Sequence, residues 1–318
     1  MEHQMLTVSA PPHIYGKDTT TRRMRDVLIA LAPAGLLGIW YYGIPGLVTI
    51  VIAIAAAIVA EALYQKIAGK KVTINDLSAV LTGLLLAFNL PPAVPFWIPI
   101  IGSFFAIIVV KQLFGGLGQN FINPALGARA FLLASFPIHM TNWTFAEDSI
   151  ASATFLARLK LEPYFSPTQA DYLETLFWKI GGSLGETSAV ALIAGGVFLL
   201  VRRVINWRIP VFFIGSFAIF AFIFGRDGLF TGQYILFEVL TGGLMLGAFF
   251  MATDYATTPI APIGKIIMGV GCGFLAVMIR FHSGFPEGVC YAILIMNIFV
   301  PFIDKYARPR IYGRRKKA

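Results

Sequence analysis

The sequence predicts an all-α integral membrane protein of about ten transmembrane helices, arranged as two inverted five-helix repeats. Three observations predict it. The 318 residues are 57% hydrophobic and 13% charged, with a mean hydropathy of +0.76, whereas a soluble domain carries about a quarter charged residues. Apolar runs of bilayer-crossing length recur from residue 27 to residue 304, which leaves no stretch for a separate water-soluble domain. Basic residues gather in alternate gaps between those runs, the asymmetry that orients membrane proteins.

Taken in order, residues 1–26 are polar and carry Lys17, Arg22, Arg23 and Arg25, so they read as a cytoplasmic lead-in and not a cleaved signal. The apolar runs lie at roughly 27–44, 46–65, 77–90, 95–113, 122–137, 187–204, 209–225, 231–252, 264–281 and 286–304. The third is short and stops at Asn89-Leu90-Pro91-Pro92, so it crosses only in part or continues as irregular chain. The organisation that follows is a first membrane repeat over 27–137, an extracytoplasmic loop over 138–186, a second repeat over 187–304 and a basic cytoplasmic tail over 305–318.

With the N-terminus inside, 19 of the 25 basic residues fall on the cytoplasmic side, and the 138–186 loop holds three basic against six acidic residues. Both termini are then cytoplasmic. A net charge of +9 would also suit nucleic acid, but these side chains sit between apolar runs and not on one amphipathic face, so the partner is the bilayer. Cys272 and Cys290 lie inside apolar runs without CxxC spacing, which suits packing and supplies no disulfide framework, iron–sulfur set or zinc set. The four histidines are isolated, and no metal site is expected.

The string Val80-Leu81-Thr82-Gly83 recurs as Val239-Leu240-Thr241-Gly242, displaced by 159 residues, and the first and sixth runs are separated by nearly the same distance. Five spans per half force the halves into opposite orientations. Such small-plus-aliphatic strings also recur by chance in membrane proteins. Inverted repeats hold ligands where interrupted helices meet, and the interruptions here are 89–92 and 252–259, each also readable as a plain helix end. Glu238, Asp254 and Glu287 are the acids at or near membrane depth in the second half and are candidates for an ion path. Asp254 reads equally as a cap on a broken helix, and Glu287 as an interfacial residue beside Pro286.

The extracytoplasmic loop contains Glu147-Asp148-Ser149-Ile150-Ala151-Ser152-Ala153-Thr154. This resembles the Asp-x-x-Ser-Gly-Ala-Thr signature at which a transferase joins FMN to the final threonine through a phosphoester. Small neighbours let a bulky donor approach the hydroxyl, so Thr154 is the expected attachment residue, with Asp148, Ser152 and Ala153 completing the site. The match departs from the pattern at Ala151 and Ser152, and small polar tripeptides also cap helices.

Longer strings carry a wider resemblance: Leu81 to Pro92, Lys111-Gln-Leu-Phe-Gly-Gly-Leu-Gly-Gln-Asn120 with Asn123-Pro124-Ala125 and Arg129-Ala-Phe131, Gly247 to Asp254, and Pro286-Glu-Gly288 with Met296-Asn297. They resemble the family of the D subunit of the Rnf complex, an ion-translocating ferredoxin:NAD oxidoreductase, and more distantly the B subunit of the sodium-pumping NADH:quinone reductase. The resemblance implies a subunit of an oxidoreductase translocase that carries electrons through covalent FMN on Thr154 and non-covalent riboflavin, coupled to Na+ or H+ movement. Its partners would be the other Rnf subunits, especially the outward-facing FMN subunit. For riboflavin the expected residues are Lys111, Asn120, Asn123 and Arg129, beside Gly115, Gly116 and Gly118 where backbone admits close approach. Lys111 reads equally as a cytoplasmic anchor and Arg129 as the partner of a buried acid. Neither a helical HExxH nor a GxGxxG occurs, so no complete active site lies in this chain and nicotinamide binds elsewhere. The competing readings are a urea-transporter-like solute transporter or channel without a redox cofactor, the quinone-reductase homologue, and a structural membrane subunit.

Overall fold

A computed structural model of the chain describes residues 19–141, 182–224, 232–283 and 288–307, and every regular element among them is helical. The first, α1, runs Thr20–Ile67, opened by Thr19, whose side chain accepts the Arg22 N–H. Forty-eight residues of straight helix would measure about 72 Å, over twice the bilayer core. The chain instead folds back at Gly43 (φ 65°, ψ −145°), a conformation open to a residue without Cβ. A Cβ on Gly46 would lie 3.7 Å from the Gly38 carbonyl oxygen, although eight residues of continuous helix would separate them by about 12 Å. Trp40, Tyr41 and Tyr42 stand at this turn, where an interfacial aromatic belt belongs. The first two predicted runs are therefore the two arms of one helical hairpin.

Beyond a one-turn 3-10 helix at Ile74–Asp76, α2 (Ser78–Phe88) ends at Asn89, as the Pro91-Pro92 stop predicts. Helix α3 (Trp97–Phe104) continues with π-helical geometry through Phe105–Gln112. Then come α4 (Pro124–Ser135), with Asn123 as N-cap, and α5 (Pro137–Thr141). After a 3-10 turn at Leu184–Glu186 follow α6 (Ala189–Val201), α7 (Arg208–Phe224) and α8 (Gly232–Leu240). Helix α9 (Leu244–Leu246) runs on as a π-helix over Gly247–Met251, and α10 (Pro262–His282) and α11 (Val289–Tyr306) complete the described chain.

The run expected at 231–252 is divided. Gly242 and Gly243, with φ of 69° and 68°, turn the chain between α8 and α9. The repeated string is not a structural repeat either: Thr82-Gly83 lies inside α2, whereas Thr241-Gly242 forms the turn before α9. A different correspondence exists. Leu77 (φ 64°, ψ 6°) starts α2 and Gly243 (φ 68°, ψ 6°) starts α9, the same left-handed cap in both halves. The two helices end against each other, with Asn89 Nδ2 3.6 Å from Met251 Sδ.

Helices approach through glycine, which replaces hydrophobic force as the organiser where the solvent is itself apolar. A Cβ on Gly83 would fall 2.8 Å from the Ala53 carbonyl, one on Gly195 2.2 Å from the Ala30 carbonyl, and one on Gly273 2.7 Å from the Phe213 carbonyl. The outside is as apolar as the core: Leu36, Ile44, Val51, Ile263 and Phe302 are more than half exposed, while Leu31, Ala53, Phe88 and Phe213 are fully buried. That inversion marks a lipid-facing surface. Among the described residues, Thr20–Ile67, Pro262–His282 and Val289–Tyr306 are long and apolar enough to cross a membrane, and Ser78–Phe88, Trp97–Gln112, Ala189–Val201 and Arg208–Phe224 are shorter apolar helices.

Candidate functional site

Where α1, α2 and α3 converge, a charge sits in the protein interior. Lys111 Nζ donates to Glu61 Oε1 at 2.9 Å, to Glu61 Oε2 at 3.0 Å and to Ser78 Oγ at 2.6 Å. Both charged side chains are at most 2% exposed. Gln112 Nε2 adds a bond to Glu61 Oε1 at 2.7 Å, and Ser78 is held through its N–H and hydroxyl by Asp76 Oδ1. A buried pair persists only with its remaining lone pairs and protons satisfied; here the Gln112 amide donates to the carboxylate and Ser78 Oγ accepts from the ammonium. Lys111 is thus no cytoplasmic anchor but an interior group, oriented toward the start of α2.

Lys111 also lines a cavity of about 90 Å³. Its polar wall includes Asn120, Asn123, Thr253 and Asp254, and its apolar wall includes Leu85 and Phe250. Asn120 and Thr257 face the Asp254 carboxylate, Thr257 at 3.4 Å. Asn123 does two things: its Oδ1 accepts the N–H groups of Ala125 and Leu126, capping α4, and its Nδ2 donates to the Met251 carbonyl at 3.2 Å. Three of the four residues expected at the second flavin, Lys111, Asn120 and Asn123, therefore share one cavity with Asp254. The cavity lies between elements of both halves, as interrupted helices predict. Gly115, Gly116 and Gly118, with φ of 120°, 102° and 83°, shape the loop beside it; they are needed for backbone conformation.

Arg129 is not among the residues lining this cavity. Its Nη1 donates to Asn89 Oδ1 at 2.8 Å. Glu238 is separate again, paired with Arg280 at 2.7 Å. Arg280 also donates to the carbonyls of Glu238, Thr241 and Gly242 and stacks on Phe217, 4.7 Å from the ring centre. Asp148, Ser152, Ala153, Thr154 and Glu287 lie outside the described residues.

Sequence reasoning missed Glu61 and Arg280, each a charge inside an apolar run, which is itself a functional signal. It also placed Glu186 with the external loop; the structure buries it to 4% exposure, against Gly182 and Gly243, where an added Cβ would meet its carboxylate at 3.1 and 2.7 Å.

Comparison with known proteins accounts for nearly the whole chain. The model of the NQR2, RnfD, RnfE family matches residues 7–313. The D subunit of the Na(+)-translocating ferredoxin:NAD(+) oxidoreductase complex of Acetobacterium woodii is 46% identical over 99% of this chain and 98% of its own length. The D subunit of the proton-translocating complex of Clostridium ljungdahlii is 42% identical, with the same coverage of each chain. The D subunit of the ion-translocating oxidoreductase complex of Halorhodospira halophila is 35% identical over 98% of this chain and 97% of its own. Apolar helices with lipid-facing surfaces, a polar cavity between two chain halves and this full-length similarity agree: the chain is a multi-pass membrane protein and belongs to the NQR2, RnfD, RnfE family.

Proposed function

We propose that the chain is the D-type membrane subunit of an Rnf complex, a redox-driven pump for Na+ or H+, and that it carries electrons on two flavins. The observation that carries this reading is the cavity that brings Lys111, Asn120, Asn123 and Asp254 together from both halves. The relatives named above are subunits of ferredoxin:NAD(+) or ion-translocating oxidoreductase complexes, and two of them name different ions at similar identity. The coupling ion therefore does not follow from similarity.

The cavity residues fit a riboflavin chemically. Lys111, Asn120, Asn123 and Asp254 give the cavity a polar wall and Leu85 with Phe250 an apolar one, the mixture that a ring system with a polar edge and a hydroxylated chain would require, with existing bonds exchanged for bonds to the guest. At about 90 Å³ the cavity is small for three fused rings, so this reading requires it to widen when riboflavin enters. Bound there, a flavin supplies electron transfer that no side chain in this chain performs. FMN on Thr154 is the second carrier in this reading, facing the outward FMN subunit, with both chain termini in the cytoplasm.

The membrane frame we propose is ten crossings in two inverted halves. Its support is the shared left-handed start of α2 and α9. Their 11 and 8 residues rise about 16 and 12 Å, together close to the ~30 Å of hydrocarbon. A solute channel of the same architecture needs neither a Thr154 signature nor a buried lysine in its cavity.

The test is expression with the flavin transferase, a denaturing gel and flavin fluorescence. The wild-type band fluoresces and Thr154→Val is dark; a dark wild-type band removes the covalent carrier. Non-covalent riboflavin released from purified complex falls at least severalfold in Asn120→Ala, and full retention removes the second flavin from this cavity.

A further inference from the structure

On the face that the membrane frame above places in the cytoplasm, the first turns of α1 and α10 and the turn between α6 and α7 line an open cleft of about 710 Å³. Arg203 and Lys265 line it from different elements, and none of its lining residues is acidic. Among the described residues, neither of these two side chains has a hydrogen-bond or ion-pair partner. Asp26, on α1 close by Arg23, is buried and held by Arg202 at 2.9 Å. The floor of the cleft is fixed: Arg23 Nη1 donates to the Tyr255 hydroxyl at 2.7 Å, and its guanidinium lies 5.3 Å from the centre of that ring.

Helix α6 ends in a Schellman turn, with the Arg203 N–H on the Leu200 carbonyl at 3.0 Å and the Val204 N–H on the Leu199 carbonyl at 2.9 Å. Its left-handed residue, at φ 56°, is one that glycine fills without strain. An arginine there strains the turn and sets a guanidinium at the cleft. The rest of the rim is apolar and faces outward. Val201 and Trp207 line the cleft and are 77% and 51% exposed, and Ile263, two residues from Lys265, is 62% exposed.

We propose that this cleft holds the headgroup of an anionic glycerophospholipid of the cytoplasmic leaflet. Two unpaired cations on one cleft without an acid match a phosphodiester, and basic pockets between helix ends on that side of a membrane recognise such headgroups. The rim decides for lipid over free phosphate: an inorganic anion gains nothing from Val201 and Trp207, whereas acyl chains leaving the headgroup run along them into the bilayer. Arg23 and Tyr255 line both this cleft and the cavity that Lys111 borders, so headgroup and cavity share a wall. The proposal rests on the orientation of the membrane frame and on neither flavin, so a dark band in the Thr154 experiment leaves it standing. Labelling of Arg203→Cys by an impermeant maleimide from outside intact cells would break the frame, a failure separate from the lipid measurement.

The experiment strips the intact complex of lipid in a neutral detergent and titrates it with acyl-chain-labelled phosphatidylglycerol and, separately, with labelled phosphatidylcholine. Arg203→Gly with Lys265→Gln weakens one phosphatidylglycerol site per complex about fivefold for each charge removed and leaves phosphatidylcholine binding unchanged. Arg203→Gly alone weakens that site about fivefold, while its lipid-free melting temperature equals or exceeds that of wild type, because glycine relieves the left-handed turn. A merely structural arginine would leave lipid binding unmoved. Equal phosphatidylglycerol binding in wild type and variants overturns the proposal. Displacement of the labelled lipid by millimolar inorganic phosphate assigns the cleft to a free anion and overturns it too. So does a variant that keeps its lipid and sheds a cytoplasmic subunit, which assigns the cleft to an acidic protein segment. If the double variant does not assemble, Arg203→Gly decides alone.

Discussion

The two halves solve one problem with different chemistry. Each starts a helix inside the protein from a left-handed residue, and each places a basic side chain of a later helix over that start. In the first half it is Lys111, bound to a carboxylate and a hydroxyl and bordering a cavity. In the second it is Arg280, bound to Glu238 and to three backbone carbonyls and stacked on an aromatic ring. A lysine is a point charge on a flexible stem, whereas a guanidinium is a planar fork that fixes what it binds. The arginine start is a rigid anchor. The lysine start borders a cavity, and its flexible stem could give up one of its three bonds to a guest there.

The largest effect that would break this contrast is at Lys111. Lys111→Met leaves the Glu61 carboxylate buried and unpaired, so it costs about 3–5 kcal/mol, read as a lowered melting temperature of the solubilised complex, and riboflavin is lost with it. The double variant Glu61→Gln with Lys111→Met recovers most of the stability and none of the flavin. Recovery of both would make the pair purely structural. Next is Arg280→Lys, which keeps the charge and gives up the fork and the stacking on Phe217, at about 1–3 kcal/mol. Riboflavin content is unchanged there, and a parallel loss of flavin would erase the distinction between the two starts.

Much of this frame was legible in the chain because a bilayer imposes a length on every crossing. The ends of α6, α7 and α10 fall within about three residues of the runs 187–204, 209–225 and 264–281. The cavity was legible too, since Lys111, Asn120 and Asn123 are costly side chains in apolar company. The division at Thr241-Gly242-Gly243 was not, because a break made of small residues leaves hydropathy unchanged. Glu61 was hidden for a related reason: Ala55 to Ala62 reads as one apolar turn after another, and its partner lies 50 residues away. Arg129's bond to Asn89 was not legible either, because the amide lies 40 residues away at the end of α2.

The smallest effect tests the shared left-handed starts. Leu77 adopts φ 64° with a side chain that disfavours it, so Leu77→Gly stabilises by up to about 1 kcal/mol or is neutral. Gly243→Ala goes the other way, because its Cβ would fall 2.7 Å from a Glu186 oxygen. Its loss exceeds about 1 kcal/mol on conformation alone. Equal responses at the two positions would show that the caps are not equivalent. Thermal melting of both variants, side by side in one detergent, reads the difference.

The turn at Gly43 has a consequence for how the protein is made. With one residue between its arms, α1 presents no polar segment to be carried across the bilayer at that end, and neither arm can be threaded to completion before the other has begun to enter. The hairpin is therefore delivered to the membrane as a unit. A glycine-to-bulky change at 43 would be felt first by the insertion machinery, in the yield of membrane-integrated chain, before any property of the finished complex could be measured.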